Sequence, residues 1–329
     1  MSSDPKSVVA PFRAALYDFD GANLAASLSV FAQASIKLAH PLGEMDVSGL
    51  AGVYAGLSKA WPDFERRESI VVSGADQDGS VWVGCCGHYC GTFEEDWLDI
   101  PATGQLVHMR FHEFFKIEGE QVVEMQAVWD LPEVMMQAGV WPMVPSLGRE
   151  VHVPGPASSD GLGPHDAGSQ VALVEEMLGC MSKHPKGGGP EVMEMERFWH
   201  PKMNWYGPSG IGTSRGIKGF RHNHQIPFLA AMPDRGQNRY GTSVHFFGEG
   251  DYVAVTGWPN MRQSISAGGW LGIAPSKQDV VLRSLDFWRI ENGLIRENWV
   301  LLDLLDLYRQ IGVDVMGRMK EMASRGQRK

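Results

Sequence analysis

Residues 97–140, WLDIPATGQLVHMRFHEFFKIEGEQVVEMQAVWDLPEVMMQAGV, return as residues 270–313, WLGIAPSKQDVVLRSLDFWRIENGLIRENWVLLDLLDLYRQIGV. The two stretches align without a gap at a constant shift of 173 and share 15 of 44 positions. Background composition gives roughly one identity in sixteen. Shared pairs include Trp97/Trp270, Arg110/Arg283, Phe114/Phe287, Glu124/Glu297, Asp130/Asp303 and Gly139/Gly312. Upstream, Phe31/Phe198, Pro41/Pro208, Gly49/Gly216 and Gly52/Gly219 align at a shift of 167, so about six net residues enter the second copy between the blocks. A period this long is the size of a domain, not of a solenoid repeat. The chain is a tandem duplication, and its function has to be argued from one domain and its copy.

Composition agrees and excludes several classes. A length of 329 residues fits two domains, each able to bury its own core. Lys plus Arg is 29 against 39 Asp plus Glu, a formal charge of −10 with no basic run, which argues against nucleic acid or an anionic membrane as partner. No stretch of about 18 apolar residues is present to span a bilayer. The opening MSSDPKSVVAPF lacks a signal-peptide pattern. Four cysteines without framework spacing fit a reducing compartment, so a cytoplasmic location is expected.

The first copy reads as helices followed by strands. Pro5, after Ser3 and Asp4, starts a helix to about Asp18, and Asp20 caps a second through Ala34. Strand-like residues run to His40, and Asp46 opens a helix that ends before Trp61-Pro62. Segments 64–74, 80–93, 105–118 and 121–131, separated by DQDG, PATG and EGE, read as long antiparallel strands. A short helix, 132–138, closes the domain, with Gly139 as its stop. The second copy repeats the order, with helices near 168–182, 189–199 and 213–231, strands at 202–206, 239–248, 251–259, 279–291 and 294–303, and a helix from Leu304. The expected organisation is domain 1 over 1–145, a Pro/Gly/Ser-rich linker over 146–167, and domain 2 over 168–329 with a helical extension after Gly317. This is an α+β order: two fused cone-shaped domains, each a strongly curved antiparallel sheet closed by about three helices around a pocket.

Some ionisable clusters invite chemistry. Cys86, His88 and Cys90 share strand parity, but ligands at that spacing on one flat strand fan apart, so they read as small core residues rather than a metal set. His222 and His224, two apart on a helix, do not face the same way. The glycine-rich run 207–216 lacks the Gly-Lys-Ser/Thr ending of a phosphate loop. His108, Arg110 and His112 alternate on one strand face, a pocket wall or an outer face. Arg110 with Glu124, and Arg283 with Glu297, are candidate cross-strand ion pairs, and each Arg is alternatively an anion or carbonyl clamp.

The motifs WLDIPATG (97–104), FKIEG (115–119), Glu124 followed by Asp130, QAGV (137–140), HPLG (40–43) and WPDF (61–64) together resemble the SnoaL-like polyketide cyclases of the nuclear transport factor two-like superfamily. The second copy carries WLGIAPSK, FWRIENGLIRENW, Asp303, QIGV and MPDR (232–235). The resemblance covers nearly the whole chain, twice. It departs at the family's Gly-Thr-His, which is Gly91-Thr92-Phe93 here and Ser264-Ile265-Ser266 in the copy, and at His40, replaced by Gly207.

The resemblance implies an intramolecular aldol closure by general acid/base catalysis without metal or cofactor. Its catalytic carboxylates would be Asp130 and Asp303, although either could instead cap the helix that follows it. Pocket candidates are His40, His88, Arg110, His112, Trp129, Trp205, Tyr206, Arg283 and Trp299. The implied ligand is small, hydrophobic and carbonyl-bearing. The two domains would pair as an intramolecular pseudo-dimer, with room for further homo-oligomerisation. The rival reading is a non-catalytic binding or assembly module on the same scaffold.

Overall fold

The computed structural model describes residues 4–166, 168–183, 190–268 and 270–326; the expected starts at 1–3 and 189 and the last residues of the tail lie outside them. It contains two compact units, Met1–Pro142 with Asp314–Lys329, and Met143–Val313.

The first unit opens with α1 (Lys6–Tyr17) and α2 (Gly21–Ser27), the latter capped by Asp20, whose carboxylate accepts the Asn23 N–H at 2.7 Å. Strands β1 (Ser35–Leu38) and β2 (Gly43–Met45) lead to α3 (Val47–Ala60), where Asp46 accepts the Gly49 N–H at 2.9 Å. Four long strands follow, β3 (Glu65–Ala75), β4 (Val81–Thr92), β5 (Leu106–Glu118) and β6 (Gln121–Trp129), and then α4 (Leu131–Gln137). The sheet order is β2-β1-β6-β5-β4-β3, antiparallel except for the parallel β1–β6 pair. From the helical segments, Phe12 packs on Phe31 and Tyr54, Phe12 and Phe31 meet Phe115 of the sheet edge-on, and Tyr54 meets Trp129 at a tilt. That face of β5 and β6 forms the core with the helices. C-terminal helix α10 (Val315–Gly326) groups with this unit, burying Val315 and Met319 and pairing Lys320 with Asp99 at 2.8 Å.

The second unit repeats the plan. Helices α5 (Val171–Met181) and α6 (Met195–Phe198) precede β7 (Trp199–Tyr206) and the two-residue β8 (Ser214–Arg215). Next come α7 (Gly216–Phe220), a π-helical turn Arg221–Gln225 and α8 (Ile226–Ala231), together in place of one regular helix. Strands β9 (His245–Glu249), β10 (Tyr252–Thr256), β13 (Ser284–Glu291) and β14 (Leu294–Leu302) complete a six-stranded sheet, order β8-β7-β14-β13-β10-β9, closed by α9 (Leu304–Gln310). The single long strand expected over 279–291 is divided, because β12 (Asp279–Leu282) pairs away with β11 (Met261–Ser264).

The Pro/Gly/Ser-rich stretch does not behave as a loose tether. Arg149 and Thr213 exchange backbone hydrogen bonds of 2.8 Å, the Trp299 indole donates to the Pro154 carbonyl at 2.9 Å, and the Ala157 N–H donates to Glu297 at 3.1 Å. Its residues form part of the second unit. Among the described residues no helix is long and apolar enough to cross a membrane.

Candidate active site in the second domain

A cavity of about 410 Å³ lies within the second domain. Its walls follow from strand alternation: Ser284, Asp286 and Trp288 line it from β13, and Asn298, Val300 and Leu302 from β14. Val255, the register partner of Asp286 on β10, lines it too. Trp199 and Trp205 add to the wall from β7 of the same sheet, and His224 in the π-helical turn, Phe228 on α8 and Arg235 just beyond line it from the helical segment and the loop after it. π-Turns recur where a helix is bent to present a side chain; here the turn lays His224 flat on Trp205, with centroids 4.3 Å apart and planes 13° apart.

Two carboxylates line the cavity, the exposed Glu175 of α5 and the half-buried Asp286 of β13. Asp286 Oδ1 accepts the Ser284 hydroxyl at 2.5 Å. Burial pushes its pKa up to about 7, against the opposing pull of that hydrogen bond and the Arg235 charge. Burial likewise drives His224 down to about 3, helped by Arg235, so the ring is neutral. Arg235 remains a cation at ordinary pH although burial lowers its pKa. An acid/base poised near neutrality, a cation and aromatic walls suit proton transfer next to a carbonyl, where the developing oxyanion needs stabilising.

At the shift of 173, Asp286 corresponds to Glu113 of the first domain. Glu113 is fully buried and saturated: Oε1 accepts from the Tyr89 hydroxyl at 2.8 Å and the Trp129 indole at 2.9 Å, and Oε2 from Arg66 at 2.6 Å. Tyr54 bonds Tyr89 at 2.9 Å, and the Arg66 guanidinium lies 4.0 Å over Phe111. Trp129 is the counterpart of Leu302, so an indole stands in the first core where the second has a smaller side chain facing a cavity.

The expected site residues separate into groups. Trp205 lines the cavity. Trp129 faces the first-domain core, while His88, Arg110 and His112 lie on the other face of that sheet, with His88 opposite Arg110 and Cys86 opposite His112. Asp130 is buried and ion-paired with Arg110 at 2.9 Å, and it makes no side-chain cap to α4. Asp303 does cap its helix, accepting the Asp306 N–H at 3.1 Å, and it pairs with Arg283 at 3.2 Å. As the residue after the cavity-lining Leu302, it points away from the cavity. Tyr206 and Trp299 pack at a tilt, ring centroids 5.2 Å apart, and neither is among the cavity walls. His40 is half-buried in the turn after β1.

The expected Arg–Glu pairs are corrected by register. Arg110 stands beside Asp130, because Phe111 pairs with Trp129; Glu124 instead meets Lys116 in register and bonds Lys37 at 2.6 Å. Glu297 is taken by Arg289 at 2.6 Å, its register partner, leaving Arg283 to Asp303 and Asp306. Asp286, Ser284, Trp288, His224 and Arg235 were missed. The sequence signals for them are the conservative Glu113/Asp286 pair, which a count of identities does not register, and the Arg that ends MPDR where the first copy has Phe64.

The profile of the SnoaL-like polyketide cyclase family matches residues 35–138 and again 190–311. No curated protein matches the chain. Among solved structures, IdmH from Streptomyces antibioticus, a proposed polyketide cyclase, is 20% identical over 41% of this chain and 99% of its own, with a TM-score of 0.35. AclR from Streptomyces galilaeus, a proposed hydroxylase, is 18% identical over 44% of this chain and 87% of its own, with a TM-score of 0.37. A proposed SnoaL-like polyketide cyclase from Jannaschia sp. CCS1 is 20% identical over 45% of this chain and 97% of its own, with a TM-score of 0.37.

Proposed function

The chain belongs to the SnoaL-like polyketide cyclase family, in two copies, and on that premise we propose that its second domain catalyses a cyclase- or isomerase-type proton transfer on a small hydrophobic carbonyl compound. Asp286 takes the proton from the carbon beside the carbonyl. Arg235 offsets the negative charge that builds on the oxygen. The aromatic walls of Trp205, Trp288 and Phe228 hold the apolar body of the substrate and keep water away. The reaction so written uses only side chains of this chain. One observation carries the reading: a carboxylate lining a cavity of about 410 Å³ and held near pH 7 by burial. The saturated Glu113 favours a supporting, non-catalytic role for the first domain.

The test needs no prior substrate. Carbonyl compounds that bind the protein are incubated with it in heavy water, and deuterium uptake at the carbon beside the carbonyl is followed. Asp286→Asn is expected to slow exchange about 10²–10⁴-fold with binding retained. Exchange at the wild-type rate in that variant would remove Asp286 from the mechanism. Asp130→Asn and Asp303→Asn, run alongside, decide whether the family-position carboxylates carry the chemistry instead.

A further inference from the structure

We propose that His88, His108 and Glu133 form a binding site for one divalent transition-metal ion of the zinc type in the first domain. His88 on β4 and His108 on β5 are diagonal neighbours on one face of the sheet, since His88 pairs with Arg110 and His108 with Cys90. Their rings meet edge to face, 5.9 Å between centroids. Glu133 projects from the first turn of α4, with Oε1 3.2 Å from His108 Nδ1. One ligand atom from each residue falls within a set spanning at most 4.8 Å. Ligands of a tetrahedral zinc ion lie about 3.4 Å apart, given bonds of about 2.0–2.2 Å. Small rotamer adjustments therefore bring all three onto one ion, which replaces the His108–Glu133 contact.

The scaffold around the three residues is already fixed. The other oxygen of Glu133 accepts the Arg110 backbone N–H at 2.7 Å, the kind of outer contact that orients a metal-bound carboxylate. Gln137 clamps α4 to β5 by accepting the His108 N–H at 3.0 Å and donating to the His108 carbonyl at 2.6 Å. Neighbouring Arg110 is paired with Asp130, so its charge is balanced beside the site. The His108 side chain is 32% exposed, so the site lies close to the surface.

The second domain supplies an internal contrast. Gln310 makes the same clamp to Val281 at 2.9 and 2.8 Å, but Val281 stands where His108 does, and Asp306, in place of Glu133, is engaged by Arg283 and Arg309. The clamp is common to both copies, whereas the imidazole is present in only one. Two imidazoles with one carboxylate suit zinc, cobalt or nickel rather than calcium or magnesium.

The experiment strips the full-length chain with a chelator and titrates it with Zn²⁺ by calorimetry and with Co²⁺ by visible absorption. One ion per chain is expected, with the intense visible bands of a four-coordinate cobalt site and a rise in melting temperature on adding zinc. His88→Gln and His108→Val should each weaken binding by more than about 100-fold, beyond the cost of losing an outer-shell partner. His108→Val copies the second domain and is expected to stay folded. His200→Gln, at a half-buried position on β7 of the second domain, should bind as the wild type does. Failure to bind one ion, or equal binding by wild type and both His88 and His108 variants, overturns the proposal.

Discussion

Glu113 and Asp286 occupy the same strand position in the two copies, yet three hydrogen-bond donors meet the first carboxylate, one of them a guanidinium, and among the described residues Ser284 alone donates to the second. The difference is one of solvation. Glu113 exchanges water for a complete protein shell, so its charge is compensated. Asp286, half-buried on the cavity wall, loses part of its water and gains little in return, so its proton is retained to about pH 7. Duplication thus yielded one position used for cohesion and one free to exchange a proton.

Stability should depend on pH through Asp286. The raised pKa of Asp286 means that the folded state keeps a proton that the unfolded state releases near the ordinary aspartate value. Between about pH 4 and 7 the folded state binds more protons, so this group's contribution to stability falls as pH rises and levels off above about 7. Asp286→Asn removes the dependence and still accepts from Ser284. The variant should melt near the wild type at about pH 4.5 and progressively above it towards about pH 8, a gain on the order of a few kcal/mol. Parallel melting curves across that range would contradict the assignment.

Activity should mirror that titration. A base must be unprotonated to accept, so deuterium exchange catalysed by the wild type should rise through about pH 7 and reach a plateau. The free enzyme's kcat/KM profile reports this group directly. A flat profile from about pH 5.5 to 8.5 would exclude Asp286 as the base.

Much of the architecture was legible because it rests on local signals. Strand runs such as 105–118, the caps Asp20 and Asp46, and the repeat itself all have sequence-local causes. The site was less legible because it depends on register. Arg110 was expected beside Glu124, and a different pairing of β5 and β6 placed it beside Asp130. Regular helix geometry makes His222 and His224 diverge and gives His224 no role; the π-turn changes what that helix presents. Asp286 sits in SLDFW among apolar neighbours, and only burial gives it its chemistry.

The cavity itself can be tested by copying the first domain. Leu302→Trp places the Trp129 side chain at its counterpart position. Overpacking a core commonly costs about 1–3 kcal/mol, but here the indole enters open space, so stability should change less. Ligands of the second domain should lose at least about tenfold in affinity, read by calorimetry on the compound used for the exchange assay. Unchanged affinity would mean that the ligand sits elsewhere.

Glu113→Gln should be a stability variant. It leaves Arg66, which is 1% exposed, with only Glu68 as a charged partner at 2.9 Å. Breaking a buried pair from one side costs about 3–5 kcal/mol. Melting temperature should therefore fall, while exchange catalysed by the second domain persists below the new transition. Loss of exchange in a folded Glu113→Gln protein would assign chemistry to the first domain.

Asp130 and Asp303, identical residues at equivalent strand ends, should respond differently to the same substitution. Asp130 neutralises Arg110, whose side chain is 1% exposed, and makes no cap. Asp303 faces Arg283, 23% exposed and also served by Asp306, and spends its other oxygen on the helix cap. Asn caps about as well as Asp, so Asp303→Asn keeps the cap and loses only a shared, partly hydrated charge interaction. Asp130→Asn instead weakens compensation of a buried cation, at a cost of about 3–5 kcal/mol. Denaturant melts of the two Asn variants should show a large shift for Asp130 and a small one for Asp303. The reverse order would mean that the cap, rather than the buried ion pair, is what the repeat retained at this position.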